Sequence, residues 1–310
     1  MTSEVQTVQQ SPAPVILLHP RDPGTFPGTD GLDVEEWIDM YERVSDHKRR
    51  LAYRVGEMTL DGRLALVTGG TSGIGEAVCH ALAAEGATVV VAGRRLDVAR
   101  KVAESLPGDA KHEALYLDIG DSSSVEKLFN NIRNASSLPL SIVVNSAGIH
   151  AAVPLVECTD ELFDDIMRIN LKGAFLVTRA AGREMIRTAK ELPEGGASIV
   201  NVSSIAAKGG WMNASAHAAS KAGVVALTKS AAQELSEHGV RCNTVLPGWT
   251  DTPMTAPLSG EQKAAVCSMA ALKRAAHPRE IAEAVKFLCS PTASSYITGA
   301  VLEVAGGLKM

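Results

Sequence analysis

The chain has 310 residues, of which 45% are apolar, 21% charged and only 4% aromatic. That balance excludes wholesale disorder and fibrous repeats, and a net charge of −5 leaves no basic field to hold nucleic acid. No apolar run approaches the roughly 20 residues that span a bilayer. Five scattered cysteines (Cys79, Cys158, Cys242, Cys267, Cys289) form no C-x-x-C pair, which argues against a disulfide scaffold or a metal site and suits a reducing compartment.

Residues 1–57 are expected to be an N-terminal extension. Residues 1–32 are polar and rich in Pro and Gly, as a loose arm is. The arm has neither the layout of a secretory signal nor the Arg-rich, acid-poor composition of a mitochondrial presequence. Asp33 then stands where a helix N-cap would, with Glu36 three residues on. Val34, Trp37, Ile38, Tyr41 and Val44 follow at helical spacing, so one amphipathic helix is expected within 33–53, docked on the main domain or on a partner. The stretch from Pro20 to Ser45 also resembles gag-like segments of retroelements, which would make it a fused exon, and Met58 heads an alternative start. The main domain is expected at 58–310.

From Gly62 onward, short apolar runs alternate with Ala-rich helical patterns. Leu64–Val67, Thr88–Val91, Ala114–Leu117, Leu140–Val144, Ser198–Val202 and Arg241–Val245 read as strands, with Leu302–Val304 as an edge strand. Such alternation predicts an α/β fold: a single Rossmann-like, doubly wound parallel sheet with helices on both faces. The first strand runs into Thr68-Gly69-Gly70-Thr71-Ser72-Gly73-Ile74-Gly75, and a helix follows. Glycines at a strand-to-helix turn let the backbone approach a pyrophosphate at the helix N-terminus, although a purely structural turn also needs glycine. After the second strand, Gly93 stands where a carboxylate would hold a ribose 2′-hydroxyl, and Arg94 and Arg95 follow. A guanidinium fork suits a 2′-phosphate, so NADP(H) is favoured with NAD(H) possible; a solvated helix start would carry the same two arginines.

The T-G-x-x-x-G-x-G spacing resembles the short-chain dehydrogenase/reductase family, and further marks of that family recur in order over 60–310. They are Asp118 with Ile119 after the third strand, Asn145-Ser146-Ala147-Gly148, Asn170, Ser203-Ser204, Lys221, and Pro247-Gly248 with Thr252. The resemblance implies cofactor contacts at Thr68, Gly69, Ser72, Gly73, Ile74, Gly75, Asp118, Ile119, Asn145, Ala147, Gly148, Lys221, Pro247, Gly248 and Thr252. Arg241–Gly248, Tyr296–Gly299 and Gly306–Met310 are similar to the branch holding 17-beta-hydroxysteroid dehydrogenases and bacterial 3-oxoacyl-ACP reductases. That branch implies carbonyl–alcohol interconversion on an acyl thioester or a steroid, a homo- or hetero-tetramer, and a place in the mitochondrial matrix or the cytoplasm.

In this family a Tyr gives the proton, a Lys four residues later lowers its pKa, a Ser polarises the carbonyl and an Asn anchors a water relay. Lys221, Ser204 and Asn170 match three of these positions, but the Tyr position is His217. The four tyrosines (Tyr41, Tyr53, Tyr116, Tyr296) lie elsewhere in the sequence. An imidazole reaches less far than a phenol, and a neighbouring Lys⁺ disfavours imidazolium. Three readings stay open: an altered acid/base in a working reductase, a cofactor-binding but catalytically weak subunit, or a fault in the gene sequence. An interaction role for the N-terminal helix is a further class. His150 reads as a solvated loop residue or a substrate contact, and His80, His112, His238 and His277 as surface or satisfied groups. Trp211-Met212 and Trp249–Met254 are expected to wall the substrate side. Residues 249–275 read as a long irregular lid, made apolar by Met254, Pro257, Leu258 and Met269.

Overall fold

The computed structural model describes residues 59–308, which lie in the second of two units into which the chain divides, Val55–Met310. The arm and the helix expected within 1–57 lie outside the described residues. Seven strands follow: β1 Leu64–Thr68, β2 Thr88–Gly93, β3 Glu113–Tyr116, β4 Leu140–Asn145, β5 Ala197–Val202, β6 Val240–Pro247 and β7 Val301–Val304. They pair in the order β3-β2-β1-β4-β5-β6-β7, and every pairing is parallel. Each parallel pairing needs a crossover. The helices that supply them are α1 Gly73–Ala84, α2 Leu96–Ser105, α3 Ser122–Ala135, α4 Asp160–Ile166, α5 Gly173–Arg187, the short α6 Ala206–Gly209, α7 Ser215–Leu235, α8 Gly260–Met269 and α9 Pro278–Cys289. The doubly wound sheet expected from the sequence is present, with β7 at its edge.

Side chains alternate along a strand, so β1 sends Ala65 and Val67 to one face and Leu64 and Leu66 to the other. On the first face Val89, Val91, Ile142 and Val144 pack against Val78 and Leu82 of α1 and Val285 and Leu288 of α9. On the second, Val90, Val143 and Ile199 meet Leu128 and Phe129 of α3 and Val177 and Met185 of α5. A sheet covered on both faces requires near-continuous apolar strands, and burying each of these side chains contributes about 1.5–3 kcal/mol.

Local chemistry sets the helix ends. Asp121 caps α3 by accepting from the Ser123 amide at 2.9 Å. His277 and Glu280 form a reciprocal cap on α9, with Pro278 in its first turn. The stretch 249–275 is not irregular throughout: Ser259 and Gln262 cap each other to start α8. The π-helical turn Met167–Lys172 separates α4 from α5 and carries Asn170. Strand order reverses between β1 and β4, which opens a crevice beyond the carboxyl ends of the strands.

Candidate active site

A cavity of about 920 Å³ fills that crevice, lined by the segments that follow β1 through β6. One part of its wall is the glycine turn. Gly69 sits at φ +68, with an added Cβ only 2.8 Å from the Ala147 backbone, and a Cβ on Gly75 would stand 2.2 Å from the Gly69 carbonyl oxygen. The turn therefore folds only around bare backbone, which brings the start of α1 close against it. Ser72 occupies the N-cap of α1 without a side-chain cap bond. The amides of the first helical turn thus keep their capacity for an anion. Ser72, Gly73, Ile74 and Gly75 all line the cavity. Thr68 is buried behind them, and its hydroxyl accepts from the Ala147 amide at 3.3 Å.

Arg94 and Arg95 sit beside this turn, exposed and in the cavity wall. Neither guanidinium has an ion-pair partner among the described residues. Asp118 and Ile119 follow β3 on the same wall. The Asp118 carboxylate accepts from the Gly120 amide at 2.9 Å, and its own amide donates to the Ser124 hydroxyl at 3.0 Å. Ala147, Gly148, Pro247, Gly248 and Thr252 also line the cavity. Asn145 does not. Its amide nitrogen is engaged inside the protein, donating to Asn201 at 2.8 Å and Thr178 at 3.2 Å. The uncapped helix start and the bare glycine backbone fit a dinucleotide cofactor, and Arg94 and Arg95 line the same cavity.

Another part of the wall, with the backbone just behind it, gathers the polar residues singled out from the sequence. Ser204 follows β5, and its Oγ accepts from the Ala206 amide at 3.2 Å, leaving the hydroxyl proton for a ligand. One stripe of α7 (His217, Ser220, Lys221, Val224, Thr228, Ala231 and Ala232) is buried. The spacing that docks the helix also brings His217 and Lys221 to the cavity. Lys221 Nζ donates to the Val202 carbonyl at 2.8 Å; burial pushes this ammonium down to about 8. His217 is only 8% exposed. Burial first, then the charges of Lys221 and His150, push its imidazole down to about 3, so the ring is neutral at physiological pH. Asn170 lies outside the cavity wall. Its Oδ1 accepts from the Ile149 amide at 2.8 Å and its Nδ2 donates to the Ile149 carbonyl at 2.9 Å.

His150 lines the cavity too, its ring edge-on to His217 with centroids 4.9 Å apart. Burial pushes His150 down as well. His150 is an exposed loop residue, as one expectation had it, that also reaches the cavity wall. Trp211, Trp249, Met254, Pro257 and Leu258 form the apolar side, joined by Leu308, which the sequence did not single out. Met212 and Met269, expected among them, are 84% and 56% exposed and lie outside the lining. Among the described residues there is no cluster of three metal-ligating side chains, and no helix long and apolar enough to cross a membrane.

The family model described as enoyl-(acyl carrier protein) reductase matches residues 69–309. The chain belongs to the short-chain dehydrogenase/reductase family, whose members are NAD(P)-dependent oxidoreductases. It is 40% identical over 262 residues to the (3R)-3-hydroxyacyl-CoA dehydrogenase of Mus musculus, covering 82% of this chain and 99% of that protein. It is 38% identical over 253 residues to the 3-oxoacyl-[acyl-carrier-protein] reductase FabG of Vibrio harveyi, covering 82% of this chain and 100% of that one. A solved structure from Beutenbergia cavernae, described as an NAD(P)-dependent gluconate 5-dehydrogenase with bound NADP, superposes with a TM-score of 0.73 at 33% identity. That match covers 81% of this chain and 98% of that one.

Proposed function

We propose that the chain is an NADP(H)-linked oxidoreductase that interconverts 3-oxoacyl and 3-hydroxyacyl thioesters. The observation that carries this is the continuity of one cavity. It begins at the uncapped start of α1, passes Arg94 and Arg95, reaches Ser204 and Lys221, and ends among Trp211, Trp249 and Leu258. A nicotinamide cofactor held between the glycine turn and Lys221 would supply or accept the hydride. Ser204 would polarise the substrate oxygen by donating a hydrogen bond from its free hydroxyl, keeping its own proton. Lys221 holds a charge near the reacting atoms, and the π-helical turn at Asn170 fixes the Ile149 backbone at the rim of the site. The test is to follow NADPH oxidation with acetoacetyl-CoA and NADP⁺ reduction with 3-hydroxybutyryl-CoA, beside an estradiol arm. Turnover faster on the steroid, or on neither substrate class, overturns the thioester assignment.

One observation favours a second reading, a subunit that binds cofactor but turns over slowly. A neutral His217 has no ready proton for the carbonyl oxygen. A positioned acid is typically worth 10²- to 10⁴-fold, so His217→Tyr should raise the reductive kcat by about tenfold or more while leaving NADPH binding unchanged. A parent enzyme that already turns over at a rate ordinary for enzymes rules the slow-subunit reading out.

A further inference from the structure

Hydrogen-bond accounting around His217 fixes which of its ring nitrogens carries the proton. The Ile149 amide is a donor, so the Asn170 atom it meets at 2.8 Å is the acceptor Oδ1, and the other terminus of that side chain is Nδ2. Nδ2 has two hydrogens. One goes to the Ile149 carbonyl at 2.9 Å and the other to the Ser220 hydroxyl oxygen at 3.1 Å. Ser220 accepts there because its own proton goes to the His217 backbone carbonyl at 2.8 Å. Nothing is left on Asn170 to donate to His217 Nδ1, 3.5 Å away. Nδ1 itself faces the Ile149 carbonyl oxygen at 3.2 Å, and a carbonyl only accepts. The proton therefore sits on Nδ1. Nε2, which has no hydrogen-bond partner among the described residues, carries a bare lone pair in the ring that lines the cavity.

We propose that His217 makes this an alcohol-selective site: its Nε2 accepts a hydrogen bond from the secondary hydroxyl of a 3-hydroxyacyl substrate and repels the carbonyl oxygen of the 3-oxo form. A tyrosine hydroxyl both donates and accepts, and so serves either oxidation state. A neutral imidazole locked on Nδ1 serves only the one that brings its own proton. Burial supports the assignment, because the ring does not gain a second proton near neutral pH. The inference rests on the substrate class proposed above and adds a direction to it: the ground state favours the alcohol, whichever way the cofactor is driven.

The experiment compares binding rather than turnover. With the redox-inert tetrahydro form of NADPH bound, calorimetry gives Kd for 3-hydroxybutyryl-CoA and for acetoacetyl-CoA. The expected result is that the hydroxy compound binds about tenfold more tightly or better, the size of one hydrogen bond gained against one lone pair opposed. His217→Tyr should erase the ratio by tightening the oxo compound, and His217→Phe by weakening the hydroxy compound. A second pair, 2-octanol and 2-octanone, carries no thioester and separates the two proposals. If neither CoA ester binds while octanol outbinds octanone, the substrate class is wrong and the selectivity stands. Equal binding within both pairs, or a preference that survives in His217→Phe, overturns the inference.

Discussion

Arg94 and Arg95 are exposed, lie in the cavity wall beside the glycine turn and have no acidic partner among the described residues. A bidentate guanidinium–phosphate contact contributes more than an exposed ion pair. Arg94→Ala should therefore raise the Kd for NADPH about tenfold or more and leave that for NADH within twofold, as read by fluorescence titration. Equal losses for both cofactors would remove the 2′-phosphate from the argument. His217 gives a second expectation at this scale. In the unfolded chain it titrates near 6.5 and in the folded one near 3, so the unfolded state takes up the proton first as pH falls. Its contribution is fully present above pH 6.5 and is lost progressively toward pH 3. His217→Gln should flatten that acid limb in urea melts run from pH 7 to pH 4. A shallower slope should persist, because His150 is also pushed down by its burial.

Among the elements, α7 shows how one helix serves fold and site together. Its buried stripe is apolar toward the C-terminal end and polar toward the N-terminal end. Halfway along, Thr228 accepts from Asn201 Nδ2 at 2.9 Å, while Asn201 Oδ1 accepts from Asn145 at 2.8 Å. This chain of amides ties β4, β5 and α7 together behind the cavity. Asn201→Leu should cost about 1–3 kcal/mol in denaturant unfolding, because it leaves the Asn145 amide with Thr178 as its one remaining acceptor and removes the bond to Thr228. Gly75→Ala belongs to this scale too. Its Cβ would meet backbone at 2.2 Å, so the turn must open and α1 must move. Loss of cofactor binding with the fold retained is the expected outcome, measured by titration beside circular dichroism.

How far the sequence reached follows the same division. Strands, the glycine turn, Lys221 and the missing tyrosine were legible because each is a local pattern of side chains. The helix α8 was missed although Ser259 and Gln262 spell its cap, since its ten residues bury none of their side chains and present no apolar stripe. Asn145 matched a cofactor motif, yet its amide turns into the interior. The Ile149 carbonyl, which fixes the tautomer of His217, has no side-chain signature at all. Only the fold brings it there.

For the whole molecule, the two-faced core predicts ordinary cooperativity for the described domain. Leu66 is fully buried between sheet and helix layer, and Leu66→Ala should cost about 2–5 kcal/mol, read from urea denaturation. NADPH should raise the melting temperature in step with its concentration, since a ligand at 100 times its Kd adds about 2.7 kcal/mol. An unchanged melting temperature at saturating NADPH would remove the dinucleotide from the cavity.

The bare N-terminus of α1 has a consequence for motion. Without a side-chain cap on Ser72, the first turn of this helix depends on water for its amide partners until a pyrophosphate arrives. The ligand then completes the helix as a residue would. Backbone amides of Gly73 to Gly75 should exchange with deuterium freely in the apo protein and become protected once cofactor binds, while that of Glu76, which already donates to the Ser72 carbonyl at 3.4 Å, and those of β1, a few residues earlier, stay protected throughout.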